Sequence, residues 1–84
     1  MTALVWCPFP DPASAEAAAR SLLEERLIAC ANLIDGMTSL FLWRGAIDTA
    51  RECGALFKTD ASKVDELGAR LVALHPYETP AVLG

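Results

Sequence analysis

Residues 37–59 read MTSLFLWRGAIDTARECGALFKT. Two runs of strand-compatible residues flank Arg44-Gly45, and a Gly-containing tight turn between such runs predicts a hairpin. Its arms are long. Upstream, IACANLI (28–34) has strand character, and Asp35-Gly36 predicts a kink or bulge between it and the first arm. Gly54 marks a further irregularity inside the second arm.

On the N-terminal side, TALVWC (2–7) reads as a buried strand closed by Pro8 and Pro10. Asp11-Pro12 supplies an N-cap followed by proline at the first helical position. Ala15, Ala18, Ala19, Leu22, Leu23 and Leu27 then recur at helical spacing, predicting an amphipathic helix of about four turns. Past the hairpin, Thr59 or Asp60 is placed to cap a second helix with the stripe Val64, Leu67, Leu71, Leu74. Gly68 within that helix suggests close packing against a neighbour. Pro76 ends the helix, and Thr79–Leu83 begins a last extended segment.

The order is β-α-β-β-α-β. It predicts one α+β domain over residues 1–84: a ferredoxin-like split βαβ sandwich, an antiparallel sheet with two helices on one face. The fourth strand is truncated at Gly84, so its sheet position is expected to be covered by a neighbouring subunit or to mark a shortened form.

Composition narrows the function classes. Of the 84 residues, 54% are hydrophobic, and the mean hydropathy is +0.32. So small a domain has little interior, so part of that apolar surface is expected to face another subunit. No apolar run approaches the ~18–20 residues of a membrane span, and the N-terminus has no signal-peptide pattern. A net charge of −4 without a basic cluster disfavours nucleic acid and anionic membrane as partners. Three cysteines in no CxxC arrangement indicate free thiols and a reducing, cytoplasmic setting.

LHPYETP (74–80) holds the chain's one His and one Tyr beside Glu78. Adjacent side chains point in different directions, so a rigid helix-to-strand connector is favoured over an acid/base site. In a split βαβ, strand one and helix two run in the same direction, which brings Cys7 and His75 to one sheet edge. A thiolate and an imidazole suit copper or zinc, but two ligands leave a site incomplete without Asp11, Glu78 or a residue of another subunit. Cys30 reads as core and Cys53 as the more exposed thiol. Phe41 and Trp43 read as anchors of a subunit interface, and Lys58-Thr59-Asp60 as helix capping rather than phosphate binding.

LLEERLIACANLI, TSLFLWRGAI, LFKT and LHPYETP stand in the order and spacing of the divalent-cation-tolerance family CutA, which the chain resembles over nearly its whole length. The resemblance implies a ferredoxin-like fold, a PII-like homotrimer built through long hairpins and sheet edges, and a non-enzymatic response to metal ions with copper binding. It implies copper or another divalent cation as the ligand and no organic cofactor. The family's copper site would use Cys7 and a histidine pair opening the His-Pro-Tyr motif; here Leu74 replaces the first histidine. The hairpin tip, usually Trp-Glu-Gly-Lys-Ile in the family, is Trp43, Arg44, Gly45, Ala46 and Ile47. An alternative is a PII-like sensor with a small ligand in an inter-subunit cleft lined by Tyr77, Glu78 and Lys58. Enzymes of the same fold fare worse, since CPFPDP lacks the phosphate-cradling loop and arginine of an acylphosphatase.

Overall fold

The computed structural model describes residues 1–84. Strand β1 is Thr2–Phe9, helix α1 Pro12–Glu24, strand β2 Cys30–Trp43 and strand β3 Ala46–Asp60; a 3-10 turn, Ala61–Lys63, leads into helix α2, Val64–Leu74. The sheet has three strands in the order β1-β3-β2, with both pairings antiparallel.

Strand period two sorts the sheet into faces. Val5, Cys7 and Phe9 lie opposite Phe57, Ala55 and Cys53, and all six are fully or almost fully buried. They form one core with Ala15, Ala18, Ala19 and Leu22 of α1 and Leu67 and Leu71 of α2, so both helices cover the same face. Cys53 is thereby the buried thiol, because it shares Phe9's register. Cys30, on the opposite parity and paired with Lys58, is only half-buried and lies outside the core. The sequence reading had these two reversed.

The helix signals place α1 closely. Asp11 accepts a hydrogen bond from the Ser14 N–H at 2.7 Å, with Pro12 at the first helical position. The helix stops at Glu24, one turn short of the predicted stripe. Arg26 turns left-handed (φ 59°), the Arg26 N–H donates to Leu23 and the Leu27 N–H to Leu22, a Schellman arrangement that folds Leu27 back into the core. Of the two candidates for capping the second helical segment, Asp60 does so through Ser62. Thr59 is buried and donates its hydroxyl to the Leu27 carbonyl at 2.7 Å, tying β3 to the end of α1.

Gly68 does not mark close packing: a Cβ built there meets no atom within 4 Å. The position therefore carries only the backbone-entropy penalty of glycine. Gly68→Ala is expected to raise stability by about 0.5–1 kcal/mol, and a thermal melt of the variant at or below that of the parent would refute this.

Two further features set up the site. Asp35-Gly36 is a bulge, with Gly36 at φ +71° and the register shifting between Ile34 and Met37, as the sequence predicts. Arg44 and Gly45 both adopt positive φ (51° and 80°), the two-residue turn that suits a twisted hairpin. Strand β1 runs past its expected stop at Pro8 to Phe9. Trp6 exchanges backbone hydrogen bonds with Leu83 on the edge away from β3, so even-numbered residues of β1 point their backbone groups there. Pro8's missing N–H falls on that edge and costs the β1–β3 ladder nothing. The expected fourth strand is reduced to this Trp6–Leu83 bridge.

Candidate functional site

The C-terminal connector, residues 75–83, lies between the end of α2 and the outer edge of β1. His75 organises it. Its Nε2 lies 2.6 Å from the outward-pointing Pro8 carbonyl, and its Nδ1 accepts the Tyr77 N–H at 3.0 Å. A carbonyl only accepts, so Nε2 carries the proton and Nδ1 the lone pair. The ring is 7% exposed and stacks on Phe9 with centroids 4.3 Å apart. Tyr77 then donates its hydroxyl to Glu52 Oε2 at 2.8 Å, fastening the connector to β3. Burial, with the Glu52 hydrogen bond and charge behind it, pushes the Tyr77 phenol up to about 12.

Between connector and hairpin runs a cleft of about 860 Å³. One wall is the hairpin, chiefly the face that carries Phe41 and Trp43 with Asp48 and Glu52; the other carries Tyr77 and Glu78. Its charged lining residues are three carboxylates, with no lysine or arginine. Lys58 does not line this intrachain cleft: it pairs with Leu4 and Cys30, about 20 Å farther along β3 than Glu52 by the rise per residue. The hairpin's opposite face presents Leu40, Leu42 and Ile47, 70–76% exposed.

Cys7 and His75 do come to the same sheet edge, joined through Pro8, whose carbonyl His75 contacts. As placed, the pair does not fit a closed copper site. Both His75 nitrogens are engaged. Burial, helped by the Glu52 charge, pushes the Cys7 thiol up to about 12, which raises the cost of the deprotonation that a metal requires. No third histidine, cysteine or carboxylate converges on the two. Asp11 spends one carboxylate oxygen on the α1 cap. Burial first and the Asp35 charge second push the Cys53 thiol up as well.

Sequence reasoning missed Glu52 and Pro8. Nothing in the sequence singles out Glu52, and only the β2–β3 register and the connector's path bring it to Tyr77. Pro8 read as a terminator, although its carbonyl is the acceptor that fixes His75.

The protein-family model for the CutA1 divalent ion tolerance protein matches residues 3–84. The divalent-cation tolerance protein CutA of Pyrococcus horikoshii is 44% identical over 80 residues, covering 95% of this chain and 78% of its own. The crystal structure of CutA from Xylella fastidiosa superposes with a TM-score of 0.94 at 40% identity, over 98% of this chain and 79% of that one. A structure described as the periplasmic divalent cation tolerance protein CutA of Archaeoglobus fulgidus gives 0.93 at 34% identity, over 98% and 79%.

Proposed function

The chain belongs to the CutA1 divalent ion tolerance family, and from that premise we propose that it is a homotrimeric, non-enzymatic divalent-cation tolerance protein. In this reading residues 1–84 form one ferredoxin-like domain of a PII-like trimer, acting by binding rather than turnover, with copper or another divalent cation as the ion. The observation that carries it is the uncovered hairpin. Leu40, Leu42 and Ile47 on one face are 70–76% exposed, and Phe41 and Trp43 on the other remain 41% and 58% exposed. Contiguous apolar surface of this kind marks an association face. Phe41 and Trp43 serve as its aromatic anchors.

Binding without turnover suits the candidate groups. The Cys7 thiol and Tyr77 phenol are held in their neutral forms, and the His75 ring is committed to the backbone. Metal contact at Cys7 and His75 requires the ring to give up Pro8 or Tyr77, so uptake there is weak. Free thiols at Cys7, Cys30 and Cys53 favour a reducing, cytoplasmic setting for this chain. No helix is long and apolar enough to cross a membrane.

Native mass spectrometry of the reduced protein, titrated with Cu and Zn, tests both halves. The expected result is a trimer with sub-stoichiometric metal at equimolar addition, little changed in Cys7→Ser. A monomer at every concentration would overturn the assembly. One tightly held metal per subunit, lost in Cys7→Ser, would overturn the weak-uptake assignment.

A further inference from the structure

The acidic cleft has no cation of its own to meet, and the hairpin tip has one with no anion. Arg44 makes no ion pair within the chain; it lies over the Trp43 ring, 5.5 Å from its centroid. The cleft beside it holds Asp48, Glu52 and Glu78 with no basic lining residue. Asp48 uses one oxygen for the Thr49 N–H, Glu52 one for Tyr77, and Glu78 none. At least one oxygen of each carboxylate is therefore open to a donor.

We infer that Arg44 of one copy seats in the acidic cleft of the next, so that each subunit supplies a guanidinium to one neighbour and receives one from the other. This rests on the homotrimer reading and adds the specificity contact to it. Charge complementarity and the cleft's place beside the hairpin tip favour a second copy as the occupant. The cleft is lined by the tip's own Trp43 and Asp48, so tips gathered around an axis bring each Arg44 near its neighbour's cleft. The contact is head-to-tail, and a head-to-tail contact closes into a ring under rotational symmetry. Three guanidiniums converging on an axis also repel one another unless each meets a carboxylate, and the cleft supplies three. A planar fork of donors over an aromatic floor suits arginine in particular.

A charge swap followed by sedimentation velocity on the full chain decides it. Arg44→Glu is expected to raise the concentration at which trimers dissociate by about tenfold or more, as for truncation of one partner of a close interfacial charge pair. Asp48→Arg with Glu78→Arg is expected to do likewise. The combined triple variant is expected to recover most of the loss, and circular dichroism checks that each chain is folded. Glu52 is left intact so that Tyr77 stays fastened. Arg44→Glu assembling like the parent would overturn the pairing while leaving the trimer standing; so would a folded triple variant that assembles no better than Arg44→Glu. A parent chain that never leaves the monomer would overturn the pairing together with the reading beneath it.

Discussion

His75→Ala is expected to lower stability by about 3 kcal/mol. Two hydrogen bonds are lost at about 1 kcal/mol each, and the stack on Phe9 contributes roughly 0.5–1.5 kcal/mol more. A domain of this length has only about 4–13 kcal/mol in total. The melting temperature should therefore fall by roughly 12–24 °C, with early exchange of the Tyr77 amide. Two partial replacements separate the contacts. His75→Asn keeps an acceptor near Nδ1 for Tyr77, and His75→Gln keeps a donor near Nε2 for Pro8; each should recover part of the loss. If His75→Ala melts with the parent, the ring is not what holds the connector. The same variant confounds any metal titration, because lost uptake would follow from a loosened connector as readily as from a lost ligand.

The second large effect is at Gly54. Its Cβ position overlaps the Cη2 tip of the Trp6 indole and falls 2.9 Å from Cζ2 and 3.0 Å from Cζ3. The indole reaches over the bare glycine on the sheet face away from the helices, and the Trp6 backbone is held by its two bonds to Leu83. Gly54→Ala must push the ring aside, and overpacking of this kind costs about 1–3 kcal/mol. A double-mutant cycle makes the cause explicit. In a Trp6→Ala background the same change should be neutral, or stabilising by up to about 1 kcal/mol, because glycine is entropically poor in a strand. A penalty that persists without the indole would place its origin in the backbone of β3.

The glycines illustrate what a sequence can and cannot say. Gly36 and Gly45 were legible because a turn or bulge is a local event, and Asp35-Gly36 and Arg44-Gly45 carry its chemistry within two residues. Gly54 and Gly68 were not. One sits beneath a tryptophan 48 positions earlier in the chain, while the other faces open space. Nothing within a few residues of either distinguishes them. The thiols behave alike. Cys53 is buried and Cys30 is not, because register against Phe9 and Lys58 decides it.

Periodicity, caps and turn residues by themselves determined the three strands, the two helices and their order, since each depends on neighbours within about one helical turn or one hairpin, while the family resemblance rested on the motifs themselves. The meeting of Cys7 and His75 at one edge followed from topology alone. Whether that meeting is a metal site depended on which atoms were already engaged. The Pro8 carbonyl and Tyr77 amide occupy the imidazole, and burial keeps the thiol protonated. Those facts, like the cleft that gathers Asp48, Glu52 and Glu78 and excludes Lys58, are set by long-range packing and strand register. Only the tertiary structure could decide them, because hydrogen-bond saturation and desolvation depend on atoms brought together from distant parts of the chain.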